Sequence, residues 1–325
     1  MTRLHLGTLS LLILVSLPTV STAAPMPARN VQEIHAALLD PNGRLLIAAH
    51  RGCHNPVPGH ALLSAPENSL VGLDHCVAMG IDIMETDVRR TRDGYLVMIH
   101  DATVDRTTSG TGAVDHLTLA EIKALRLRDN EGEKGAGFTN QQVPTLEEIL
   151  VHAGNRIVLN LDIKDAIYAE VIDAVVRAGA TDRVIVKTVA GIGSTPLAAM
   201  APYDRVPLMP ILSSGNAIGS DLATIVKRQA SGSQRPVGFE IPRMPAAALP
   251  GVTAAARAAH GRVWANTLWE GFVGGYGGDV DALRDPDAVW GRLQRAGVSI
   301  IQTDEPEALR RYVLRLSPSP FFMGV

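Results

Sequence analysis

His50 and Arg51 follow a short apolar run at 45–49, and His100 closes another at 95–100. Glu85 and Asp87 stand two apart near the end of the β-rich run 81–88, and Asp162 and Lys164 repeat that spacing at the end of the run 157–163. Side chains at i and i+2 share a face of a strand, so each pair points one way. Clustered carboxylates repel one another unless a positive charge lies among them. A single hard divalent cation with oxygen ligands satisfies that need, and Mg²⁺ or Ca²⁺ suits it better than Zn²⁺. Two histidines titrating near neutrality fit the general base and general acid of phosphoryl transfer. Arg51 offers a planar donor fork for a phosphate, and Lys164 a second positive point. Other readings attach to the same residues. Glu85 and Asp87 could be outward acids of a surface strand or ion partners of Lys164, and both histidines could be zinc ligands beside the acids.

The elements around these residues set where they meet. Eight β-rich runs, at 45–49, 81–88, 157–163, 184–187, 206–211, 237–241, 262–268 and 299–303, alternate with helical patterns. That alternation predicts an α/β fold, a (β/α)8 TIM barrel whose site lies at the carboxyl ends of its strands. Lys187 ends the fourth run. The ninth run, 95–100, follows the second after only 89–94, too short a link for a parallel crossover. Asp93-Gly94 signals a hairpin. With Arg92 and Asp93 as turn residues His100 faces Glu85 and Met98 faces Asp87, and a bulged turn would shift this pairing by one residue.

Asn68 is expected to cap the first helix, whose apolar stripe is Leu70, Leu73 and Val77. A small insertion at 101–144 follows the hairpin, with a helix at 119–127 introduced by Thr118 and Glu121 in capping-box positions. Its Gly-rich stretch 130–137 reads as a mobile loop. Thr145 then precedes a helix at 146–152, and further helices are expected at 166–178, 217–230, 246–260, 281–296 and 305–316.

The chain carries 30 basic and 33 acidic residues for a net charge of −3. They form no basic run, which argues against nucleic acid as a partner. Arg3 and His5, the apolar stretch 6–17 and Ser21-Thr22-Ala23-Ala24 form the pattern of an export signal cut after Ala23. That predicts a secreted or periplasmic protein, with residues 1–23 removed, 24–325 as one catalytic domain, and no stable membrane anchor. Cys53 and Cys76 could pair in an oxidising compartment, but one lies in a loop and the other about two turns into a helix, so the reading favours unpaired thiols. His54 and His60 read as solvated loop residues.

Taken in order, Ala49-His50-Arg51-Gly52, Ala65-Pro66-Glu67-Asn68-Ser69, Glu85-Thr86-Asp87-Val88, Thr91-Arg92-Asp93-Gly94, His100-Asp101 and Asp105-Arg106-Thr107-Thr108 resemble the glycerophosphodiester phosphodiesterase family. Pro144-Thr145-Leu146-Glu147-Glu148, Leu161-Asp162-Ile163-Lys164 and Ile301-Gln302-Thr303-Asp304-Glu305-Pro306 continue the match. The resemblance implies a (β/α)8 barrel that hydrolyses glycerophosphodiesters to glycerol 3-phosphate and an alcohol. It implies His50 and His100 as the acid–base pair, Glu85, Asp87 and Asp162 as metal ligands, and Arg51 and Lys164 at the phosphate. Glu67 would organise the substrate pocket. Two departures stand out: Asp162 replaces the family's usual glutamate, and Asn266 stands where many relatives have an aromatic, which puts a polar group on that side of the pocket. The same residues would also serve a phospholipase D acting on lysophospholipids or sphingolipids, a phospholipase C-like enzyme on inositol phospholipids, or a non-catalytic binding barrel.

Overall fold

The computed structural model describes residues 30–316 of the 325. The export segment and the apolar tail 321–325 lie outside the described residues. The strands are β1 (Leu46–Ala49), β2 (Ile83–Arg90), β3 (Leu96–Met98), β4 (Val158–Ile163), β5 (Val184–Ala190), β6 (Leu208–Leu212), β7 (Gly238–Ile241), β8 (Met244–Pro245), β9 (Arg262–Asn266), β10 (Val273–Gly274) and β11 (Ile300–Thr303). β1, β2, β4, β5, β6, β7, β9 and β11 pair in parallel in that order, and β1 also pairs with β11 to close the ring. Each of the eight expected runs is a barrel strand. β8 and β10 form a separate parallel pair in the loops after β7 and β9.

Strands buried on both faces read as unbroken apolar runs, and these bury their outward side chains under the surrounding helices. The inward residues near the strand starts, Leu46, Ile83, Val158, Ile185, Met209, Trp264 and Ile300, pack with Val31, Ile34 and Leu38. Those three belong to the helix Val31–Leu39, capped by Asn30, which closes that end of the barrel and had no counterpart among the sequence expectations. Each such side chain contributes about 1.5–3 kcal/mol through burial.

Four expectations are corrected. The hairpin pairs Val88 with Met98, Arg89 with Val97 and Arg90 with Leu96, one residue away from the pairing of a two-residue turn. Thr91 N bonds Tyr95 O, enclosing Arg92, Asp93 and Gly94, and Gly94 takes the left-handed φ of 88° that a three-residue loop requires. Extended along the strand, that register sets His100 opposite Thr86, between Glu85 and Asp87. Ser69, not Asn68, caps the helix Leu70–Ala78.

Cys53 and Cys76 form a disulfide, with Cα atoms 5.2 Å apart. Arg51 and Gly52 adopt positive φ, so the chain doubles back and Cys53 N bonds Gly72 O on the helix; distance along the sequence gave no hint of this return. Finally, 130–137 is tied down at its start, with Asn130 O accepting from Glu67 N. The insertion residues Val104, Val114, Ile122, Leu127 and Val143 also form a separate cluster with Val97 and Ile99 of the hairpin.

Candidate active site

Above the apolar layer, the inward positions turn polar. β2 and β4 align Glu85 with Asn160 and Asp87 with Asp162, which brings one carboxylate oxygen from each of Glu85, Asp87 and Asp162 within 4.8 Å of the others. Glu85 and Asp87 are buried. Burial and the neighbouring Asp87 charge push Glu85 up to about 7. Burial acts on Asp87 too, but Lys164, His100 and Arg51 outweigh it and hold that carboxyl well below the usual range. Lys164 Nζ lies 2.9 Å from Asp87 Oδ1 and 2.7 Å from Asp162 Oδ2. Arg51 donates its backbone N–H to Glu85 Oε2 at 2.9 Å, and its Nε lies 3.8 Å from Asp87 Oδ2.

Both histidines are anchored in the same manner. His50 Nδ1 lies 2.8 Å from Asp304 Oδ1, and His100 Nδ1 lies 2.7 Å from Asp101 Oδ1. A carboxylate at Nδ1 fixes the tautomer and leaves Nε2 for proton exchange. Burial pulls His50 down, but the hydrogen bond and charge of Asp304 raise it above the ordinary imidazole value. Arg106 grips Asp101 at 2.8 and 3.0 Å and Glu67 at 2.8 and 2.9 Å. Glu67 in turn accepts from Arg51 at 3.0 Å, so one ion network runs from His100 to Arg51. Asp101→Asn and Asp304→Asn are each expected to lower kcat about 10²-fold, the lower end of what a proton-transfer partner contributes, with little change in KM. Steady-state kinetics checks this, and an unchanged kcat would remove the positioning role.

The sequence reading missed several of these groups. Asn68 has φ 55°, and its side chain donates to Asp87 Oδ2 at 2.9 Å while accepting from Thr86 Oγ1 and Asp87 N. Asp101 and Asp304 follow strand ends, where the need of a site histidine for an Nδ1 partner was a usable signal. His54 is no solvated loop residue: it is 2% exposed, with Nδ1 2.8 Å from Asn130 Oδ1 and Nε2 3.3 Å from Asp304 Oδ1. Asn266 is held from two sides. Its side chain accepts from Trp264 Nε1 at 2.9 Å and donates to Glu240 Oε1 at 3.1 Å, so it is part of the buried polar layer beneath the site. Lys187 belongs to that layer too, 3.1 Å from Glu240 Oε2.

Across the barrel mouth from β1 and β2 lies a cavity of about 690 Å³. Val189, Ile211, Leu212, Met244, Trp269 and Phe272 give it an apolar lining, with Arg243 among them. Trp269 packs on Phe272 with ring centroids 4.7 Å apart and stays half exposed. No helix among the described residues is long and apolar enough to cross a membrane.

Residues 50–214, half of the chain, match the model of the glycerophosphoryl diester phosphodiesterase family. Residues 208–313 match a second model, described only as a domain of unknown function. A glycerophosphodiester phosphodiesterase of Caldanaerobacter subterraneus is 35% identical over 173 residues, spanning 51% of this chain and 67% of that one. One from Bacillus subtilis is 40% identical over 122 residues, which cover 36% of this chain and only 39% of the relative. Among solved structures, a glycerophosphoryl diester phosphodiesterase from Parabacteroides distasonis aligns over 90% of this chain and 95% of its own, with TM-score 0.66 and 21% identity, a likeness of fold. The chain belongs to the glycerophosphoryl diester phosphodiesterase family.

Proposed function

We propose that this protein hydrolyses glycerophosphodiesters to glycerol 3-phosphate and an alcohol, with His50 and His100 as the acid–base pair and Glu85, Asp87 and Asp162 holding one divalent cation. The observation that carries this reading is the convergence of three carboxylate oxygens within 4.8 Å of one another beside two carboxylate-anchored histidines. An all-oxygen, all-anionic donor set fits a hard cation, Mg²⁺ or Ca²⁺. When bound, the cation neutralises charge on the phosphodiester and polarises phosphorus. Arg51 and Lys164 orient the phosphate and balance its charge. One histidine takes the proton of the glycerol 2-hydroxyl as its oxygen attacks phosphorus, and the other protonates the departing alcohol. The cyclic phosphate so formed is opened by water with the two roles reversed. The ion network from Arg51 through Glu67 and Arg106 to Asp101 keeps the phosphate-binding and proton-transfer groups in register.

The cavity favours a second reading, a lysophospholipid whose acyl chain enters the apolar lining while the phosphodiester sits at the same carboxylates and histidines. The apolar rim then lies at the ends of β5 and β6 and in the loops after β7 and β9. Assaying glycerophosphocholine, glycerophosphoinositol and 1-acyl-lysophosphatidylcholine, with identification of the phosphorylated product, separates the readings. Glycerol 3-phosphate from the first two substrates supports the main one, and lysophosphatidate from the third alone supports the second. A phosphoinositol product would point to phospholipase C-like cleavage and overturn both. We also propose that the protein works outside the cytoplasm, which the Cys53–Cys76 disulfide supports because such bonds persist in oxidising compartments.

A further inference from the structure

A second set of ligand atoms lies outside the three carboxylates. His50, His54, Glu131 and Asp304 each present one nitrogen or oxygen, and the four atoms lie within 4.8 Å of one another. Three of the separations are 2.8 Å from His50 Nδ1 to Asp304 Oδ1, 3.3 Å from His54 Nε2 to Asp304 Oδ1, and 3.9 Å from His54 Nε2 to Glu131 Oε1. Ligands at about 2.0–2.1 Å around a tetrahedral zinc stand roughly 3.3–3.4 Å apart, a value that these three separations bracket. Two imidazoles with two carboxylates favour Zn²⁺ over the hard ions suited to Glu85, Asp87 and Asp162.

An independent observation concerns the far side of His54. Asn130 Nδ2 donates to Asn55 Oδ1 at 3.1 Å, which fixes the amide orientation and makes Asn130 Oδ1 the acceptor. His54 Nδ1, 2.8 Å away, must therefore be the donor. That bond sets Nε2 of a buried ring toward Asp304 and Glu131, as the outer hydrogen bond of a ligating histidine does. Two charge balances are then possible at Nε2: a proton, giving an imidazolium between the carboxylates, or a metal in its place. Arg51 Nη1, 3.7 Å from Glu131 Oε1, is the nearby cation with which a metal would compete.

We propose that His50, His54, Glu131 and Asp304 form a zinc-binding site distinct from the carboxylate centre, and that zinc there inhibits hydrolysis. Zinc at His50 Nδ1 displaces the proton shared with Asp304 and obliges Nε2 to keep its own. His50 can then no longer accept a proton, and binding releases protons to solvent. The inhibition rests on the acid–base role proposed for His50, whereas the binding does not.

The test is equilibrium dialysis against Zn²⁺ with the full chain kept in saturating Mg²⁺, beside zinc titrations of hydrolysis normalised to each variant's own zinc-free rate. The expected result is one zinc per chain, bound at least 10-fold more weakly by His54→Ala and by Glu131→Gln, with Glu85→Gln unaffected. The inhibition midpoint should shift by the same factor in the first two variants. Glu131 is partly exposed, so its variant keeps the test available if His54→Ala does not fold. Zinc retained equally by both variants, zinc lost only from Glu85→Gln, or binding without inhibition of an active enzyme would overturn the proposal. A chain with no hydrolytic activity would refute the proposed function while the dialysis still reads the zinc site.

Discussion

Replacing either His50 or His100 by alanine is expected to leave a folded protein whose hydrolysis of glycerophosphodiesters falls by about 10²–10⁴-fold, the usual contribution of one proton-transfer partner. Each ring is held at Nδ1 by its own aspartate, Asp304 or Asp101, and neither aspartate serves the other ring. One histidine cannot stand in for the other, so the two single variants should be similarly impaired. The double variant should fall little below either one, because residues that act as a unit are not additive. The fold should tolerate both changes, since the rings stand at the polar mouth and outside the three apolar clusters. Turnover within a few fold of wild type in either single variant, with unchanged circular dichroism, would remove that histidine from the mechanism.

The second large effect concerns stability. Lys187→Met is expected to destabilise the protein by about 3–5 kcal/mol, the cost of breaking a buried ion pair by removing one partner. Lys187 and Glu240 are 2% and 5% exposed. Lys187 stays above the ordinary lysine range because, against its burial, Glu240, Asp162 and Glu85 all favour its charge. It therefore serves as an internal counter-ion for one flank of the carboxylate centre, and its ammonium also lies 5.3 Å from the centroid of the Trp264 ring. Without it, Glu240 keeps only its bond from Asn266, and Glu85 loses a stabilising charge. The double change Lys187→Met with Glu240→Gln should recover most of the loss, because no unpaired charge then stays buried. Denaturant unfolding measures both, and a single variant within about 1 kcal/mol of wild type would contradict this role.

The barrel was legible in the sequence because each of its strands is an apolar run bounded by polar turns, and the period of two placed Glu85 with Asp87 and Asp162 with Lys164. What could not be read were pairings between distant residues of ordinary local appearance. Asp304 meets His50 across 254 positions: a site histidine signals that some acid must sit at its Nδ1, but not which one. His54 looked like a loop residue because its burial depends on Asn130, 76 positions away in the insertion. Local ambiguities decided the remaining misses. Asn68 and Ser69 are both good caps, and the structure uses serine for the helix and asparagine for Asp87. Asp93-Gly94 fits a two-residue or a three-residue turn, and the second moved His100 by one position.

The metal requirement is the most direct test of the central claim. The protein is stripped with chelator, Mg²⁺, Ca²⁺, Mn²⁺ or Zn²⁺ is restored separately, and glycerol 3-phosphate release from glycerophosphocholine is followed. The stripped protein should be inactive, Mg²⁺ or Ca²⁺ should restore turnover, and Asp87→Asn should need far more of the ion to respond. Full activity after stripping, or restoration that is equal in Asp87→Asn and wild type, would contradict a catalytic cation held by Glu85, Asp87 and Asp162.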